Sequence, residues 1–221
     1  MGSLVPDFQG FLTLVLNKRF SHSWQGAVLF DLPLAFVLCY IFHLIVRTPL
    51  INNLPNYFKR RIVSYNSFNW IKYAKQNNWK VFFSLITGIA SHILWDKLTH
   101  PGIIPGMEKN ITLFGISDPL FVFVQYACSI LALILIFVVV HRLPVNDNLQ
   151  EHSSKKLYWG LIVLVINMFI IYGFINFYHS ERFIDILINT SIAGLLAGLI
   201  ISSIYYSTKR YKTESTVSTV V

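Results

Sequence analysis

The sequence predicts an all-α fold, a polytopic bundle of about five membrane-spanning helices with the N-terminus outside and the C-terminus inside. Three observations predict it. Only 13% of the 221 residues are charged, against about 25% in a soluble domain. Five apolar runs are long enough to cross a bilayer as helices of about 20 residues. The basic residues, finally, fall on alternate loops, and mean hydropathy is +0.56.

The predicted spans run from Ala27 to Val46, Val81 to Thr99, Leu120 to Val140, Leu157 to Tyr178 and Phe183 to Tyr206. Between Arg47 and Lys80 the chain carries Arg47, Lys59, Arg60, Arg61, Lys72, Lys75 and Lys80 and no acid, which marks that loop as cytoplasmic. The same orientation places Arg142, Lys155, Lys156, Lys209, Arg210 and Lys212 inside. It leaves Lys18, Arg19, Lys97, Lys109 and Arg182 outside. The net charge of +8 thus reports orientation and contact with anionic membrane lipids, and nucleic acid is not an expected partner. Residues 1–206 read as one integral membrane domain, and 207–221, polar and rich in Ser and Thr, as a disordered cytoplasmic tail.

Upstream of the first span, Pro6 predicts a turn that presents Asp7, and Ser21 is placed to cap the entering helix. The first residues are neither basic nor followed directly by a long apolar core, so no cleavable signal peptide is expected and targeting rests on the spans. The first span contains an acid, Asp31, just before Pro33. Nine residues from His22 is about 180° around a helix, so the two are not expected to share a face; Asp31 reads as a partner for another helix or as an acid reaching interfacial water. His43 and Arg47 fall near the inner interface. The basic loop that follows interleaves its cations with Tyr57, Phe58, Tyr65, Phe68, Trp70 and Trp79, the pattern of helices lying on a membrane surface.

The second span ends in Ser91-His92-Ile93-Leu94-Trp95-Asp96-Lys97-Leu98-Thr99-His100, with Pro101 and Gly102 closing it. At about 100° per residue, His92, Asp96 and His100 fall within about 80° of one another, one narrow polar stripe on an apolar helix. A carboxylate there is costly unless paired, hydrated or bound to a metal. Imidazole and carboxylate are ligands of zinc, manganese and iron. The stripe alone reads equally as half of a metal site or as a His-Asp pair tying helices together. Orientation adds an argument, because Asp7, His22, His92, Asp96 and His100 all gather at the outer face, although the charge rule takes no account of ligands.

The outer loop from Pro101 to Pro119 offers Glu108 and Asp118 as minor candidates, and the turn between the last two spans offers His179 and Glu181. Gln125 sits deep enough in the third span to bond another helix. Gly194 and Gly198 give the fifth span a small-xxx-small face for close packing. Cys39 and Cys128 both fall in spans and imply no disulfide framework.

Gly2-Ser3-Leu4-Val5-Pro6-Asp7-Phe8, Ser21-His22-Ser23, Phe30-Asp31-Leu32-Pro33-Leu34, Phe42-His43-Leu44-Ile45-Val46-Arg47 and Ser91-His92-Ile93-Leu94-Trp95-Asp96 resemble the prokaryotic membrane family known as domain of unknown function 4184. The order Pro-Asp, Ser-His-Ser, His-x-x-x-Asp is also similar, more loosely, to YdjM-like membrane metal-dependent hydrolases and to zinc-dependent phospholipase C and its nuclease relatives. That resemblance implies Asp7, His22, His92 and Asp96 as metal ligands, with His100 as a further ligand or a supporting group. The Ser-His-Pro stretch with which family members begin and the second His-x-x-x-Glu helix of the phospholipases have no counterpart here, so a site of one or two metals is expected.

Three functions follow for comparison. The first is a metal-dependent hydrolase, with zinc or a similar divalent ion, acting on a lipid or phosphoester at the outer face. The second is a non-catalytic membrane protein whose His and Asp residues form a packing network. The third, a transporter or proton relay through Asp31, His92 and Asp96, lacks the paired interrupted spans that such proteins carry.

Overall fold

In the computed structural model, residues 1–14, 20–99, 104–113, 115–146, 155–180 and 182–218 are described. The chain is a helical bundle with one small hairpin. A 3-10 helix, Gly2–Asp7, runs into α1, Phe8–Thr13. The first long helix, α2, extends over Trp24–Asn53. Two short helices follow, α3 at Asn56–Ile62 and α4 at Trp70–Gln76. Then come α5 at Asn78–Thr99, α6 at Leu120–Arg142, α7 at Lys155–Phe177 and α8 at Phe183–Ser218.

All five predicted spans are present as helices long and apolar enough to cross a membrane, which makes this a multi-pass integral membrane protein. The first and second begin earlier than expected, at Trp24 and Asn78, and the first continues past Arg47 to Asn53. α6 shows what kind of solvent the chain is built for. Not one of its residues is buried against protein, though it is almost wholly apolar. Such a surface is tolerable against lipid tails and unfavourable in water.

α2 is not a uniform α-helix. Ala27–Asp31 and Phe42–Val46 are π-helical turns, and each lies just ahead of a proline, Pro33 and Pro49. Proline lacks the N–H its turn needs and its ring crowds the carbonyl four residues back, so the wider turn upstream absorbs the mismatch. The start of α2 is capped by Ser23, whose Oγ accepts from the Gly26 N–H at 3.0 Å. Ser21, expected in that role, is instead fully buried.

α2 and α5 run antiparallel. Ala27 and Leu32 pack on Ile89 and Ile93, while Ala35 and Cys39 meet Leu85 and Val81 in a core that also holds Val5 and Trp70. α7 and α8 form the other layer. A Cβ at Gly194 would lie 2.9 Å from the Ile166 Cα, and one at Gly198 would lie 3.1 Å from the Ile162 Cα, so the small-xxx-small face is spent on close packing within the chain. Between α5 and α6 the loop forms an antiparallel hairpin, β1 at Asn110–Leu113 with β2 at Ile116–Pro119, pairing Ile111 with Asp118. An all-helical expectation does not foresee this strand pair. Four-residue strands leave too little alternating pattern to detect.

Candidate metal centre

The centre is assembled where the N-terminal segment lies against α5. Gly2 and Gly88 make that approach possible: each would bring a Cβ into the other segment's backbone, at Gly88 to within 2.8 Å of the Ser3 nitrogen. The Ser3 carbonyl consequently reaches His92, accepting from its Nδ1 at 2.8 Å. Asn189 of α8 secures the far side of the segment, its Nδ2 donating to the Gly10 carbonyl at 2.9 Å.

With the segment docked, Asp7 Oδ1 lies 3.7 Å from His92 Nε2. One turn along α5, Asp96 Oδ2 lies 3.5 Å from the same nitrogen, as the four-residue spacing requires. His22 arrives from the turn ahead of α2. Gln9 Oε1 accepts from the Ser21 N–H at 3.0 Å and fixes that turn. Ser21 Oγ is 3.1 Å from His22 Nδ1, and His22 Nε2 is 2.9 Å from Asp96 Oδ2. The two imidazole rings meet edge to face at 5.5 Å.

Of the predicted set, then, Asp7, His22, His92 and Asp96 come together from three segments far apart in the chain. His100 lies outside the described residues, as does Glu181. Glu108 and His179 are exposed, and Asp118 is held in β2. Ligand atoms of Asp7, His22 and His92 all fall within 4.8 Å of one another.

The protonation of His92 is the informative detail. Its Nδ1 hydrogen is committed to the Ser3 carbonyl, so the neutral ring turns a lone pair at Nε2 toward two carboxylate oxygens. That nitrogen is buried and has no hydrogen-bond partner. Three acceptors facing one another are repulsive unless a proton or a cation lies between them.

The geometry fits a cation. A tetrahedral ion with bonds of about 2.0–2.2 Å separates its ligand atoms by about 3.3–3.6 Å; the 3.7 Å between His92 and Asp7 is close to this, and the set of Asp7, His22 and His92, within 4.8 Å, would draw in slightly around an ion. A backbone carbonyl holding the remote imidazole nitrogen is the usual support for a ligating histidine. Exposure of the side chains runs from 16% at His92 to 33% at Asp7, so the cluster is sheltered yet open on one side to water or a small polar group.

The chain matches a family, Domain of unknown function (DUF4184), over residues 1–208. It belongs to DUF4184. No curated protein and no solved structure matches the chain, and nothing supports the further likeness to YdjM-like hydrolases or to phospholipase C. The DUF4184 match spans the N-terminal segment and all five long helices, and it attaches no activity to them. Chemistry in this DUF4184 chain must therefore be argued from its own atoms.

Sequence reasoning misses one contributor and misplaces one neighbour. The Ser3 carbonyl is a backbone group and leaves no residue-type signal. Asp31 is expected on the opposite face from His22, but the helix starts only at Trp24 and then passes through a π turn, so a uniform 100° count from His22 does not apply. In the structure Asp31 lies within electrostatic reach of both His22 and His92.

Proposed function

We propose that this chain is an integral membrane metal-dependent hydrolase, in which Asp7, His22 and His92 hold a divalent ion and Asp96 orients the two imidazoles or joins them as a ligand. The observation that carries the reading is His92 Nε2, a buried nitrogen without a hydrogen-bond partner between two carboxylates. Two nitrogens and one carboxylate oxygen with an open side suit zinc in its catalytic arrangement. When bound, the ion supplies Lewis acidity, polarising a phosphoryl or acyl oxygen and making water a better nucleophile.

The chain's own residues do the rest. Ser3 and Ser21 set the direction of the imidazoles, and Asp96 stands beside both Nε2 atoms to receive or share a proton. Asp96 is three residues from the end of α5, about 4.5 Å along the helix, a depth at which lipid headgroups lie. A lipid or lipid-linked phosphoester is the substrate class that fits this depth. The charge asymmetry of the loops supports an outer-face position for this end.

One observation favours a packing role. The 2.9 Å contact between His22 and Asp96 is a complete hydrogen bond needing no metal, and it would tie the turn ahead of α2 to α5. The readings separate on activity. Protein in lipid nanodiscs, loaded with zinc, is expected to hydrolyse a chromogenic phosphodiester or a short-chain phospholipid, with the rate abolished by chelator and by His92→Ala. Zinc-loaded protein inert toward both substrates and toward phosphomonoesters would contradict the hydrolase and leave the network.

A further inference from the structure

At the end of the bundle remote from His92, Arg47 is a guanidinium without an acid. Its contacts are long: Nη1 donates to His43 Nδ1 at 3.3 Å and Nη2 to the Asn66 carbonyl at 3.3 Å. Its Nε is buried and has no acceptor. Among the described residues no carboxylate pairs with Arg47, and the chain from Arg47 to Lys80 contains no acid. A partly buried cation in that condition is stabilised by an anion brought from outside the chain.

A cavity adjoins this cation. His43 stacks on Trp70, the ring centroids 4.4 Å apart and the planes within 8° of parallel. The Trp70 indole, only 8% exposed, holds a second buried donor without an acceptor, its Nε1. Trp70 also lines a cavity of about 350 Å³, shared with Phe36 and Tyr40 of α2, Ala74 of α4, and Trp79 and Phe82 of α5. That volume falls within the roughly 300–1,000 Å³ of small-molecule sites, and an aromatic lining suits an apolar guest. Trp79 and Tyr40 are exposed, so the cavity is reached from the lipid around the bundle.

An apolar cavity and an acid-free cationic cluster thus share one indole, and the ligand that matches both is an amphipathic anion. Lys72 and Lys75 of α4 and Lys80 of α5 are exposed on two of the helices that form the cavity, and cations so placed attract negative headgroups. We propose that this is a discrete site for one anionic phospholipid of the adjacent leaflet, with a chain in the cavity and the phosphate drawn to Arg47. A free phosphate has no use for the aromatic cavity. A zwitterionic lipid brings a positive charge into a field of cations. The site lies at the opposite end of α5 from the metal centre and does not depend on it.

Native mass spectrometry of the full chain in detergent, titrated with phosphatidylglycerol or with phosphatidylcholine of the same chains, tests this. Wild type is expected to retain one phosphatidylglycerol, bound more tightly than phosphatidylcholine. Arg47→Gln is expected to weaken phosphatidylglycerol about 5-fold, what one cation contributes toward an anionic surface, and to leave phosphatidylcholine unchanged. Ala74→Phe, which fills the cavity and keeps every charge, should weaken both lipids. It tests the site even where Arg47→Gln disturbs the Asn66 contact, and circular dichroism melts of both variants check the fold. Equal retention of the two lipids by wild type, or phosphatidylglycerol binding unchanged in Ala74→Phe, would overturn the site. Inorganic phosphate displacing phosphatidylglycerol at the lipid's own concentration would make it a phosphate site and overturn the lipid.

Discussion

His92 carries more of the argument than any other side chain, because its two nitrogens are set by different parts of the chain. Ser3 fixes Nδ1, and Nε2 then faces Asp7 and Asp96. His22 is supported less directly, through Ser21 Oγ at 3.1 Å from its Nδ1. Ser21→Ala is expected to lower zinc affinity by about 10-fold, the lower end of what losing such support costs a metal site, without preventing folding; competition with a fluorescent chelator measures it. His92 and Asp96 were legible in the sequence because a four-residue spacing on an apolar helix is a strong signal. Asp7 and His22 were legible only through loop charges and resemblance, since nothing local to either residue says that it meets α5.

At the scale of elements, the docking of the Gly2–Asp7 helix on α5 decides whether a centre exists. That contact is backbone against backbone, with Leu85 and Gly88 of α5 facing Gly2 and Ser3. Gly88→Ala would set a Cβ 2.8 Å from the Ser3 nitrogen and is expected to cost about 1–3 kcal/mol, as overpacking does. It should also weaken metal binding by drawing the Ser3 carbonyl away from His92. Gly160, where an added Cβ would meet nothing within 4 Å, is the control: Gly160→Ala on an exposed helix face should stabilise by about 0.5–1 kcal/mol. Denaturant unfolding in detergent distinguishes the two signs. Hydropathy revealed the long helices and was silent about this short one, because six residues bury too little to leave a periodic pattern. It was equally silent about the π turns of α2, which rearrange the faces that a 3.6-residue count assigns.

For the whole molecule, five spans were readable because lipid demands long uninterrupted apolar helices. Their pairing into two layers was not, since apolar helices in lipid gain little from one another by hydrophobicity and choose neighbours by close packing. Orientation remains a statement about charge. With Cys39 and Cys128 replaced by Ala, Ser117→Cys in the hairpin is expected to react with a membrane-impermeant thiol reagent on intact cells, and Ser207→Cys only after lysis. The reverse pattern would place the centre at the inner face and make the substrate side cytoplasmic. The most direct measurement of the central claim is X-ray absorption on zinc-loaded protein, wild type beside His92→Ala, with total metal content taken on the same samples. The account predicts bound zinc with nitrogen and oxygen ligands at about 2.0–2.1 Å and imidazole scattering, both reduced in His92→Ala while the variant stays folded. A wild type that takes up no metal, or a spectrum and metal content unchanged by His92→Ala, would contradict it.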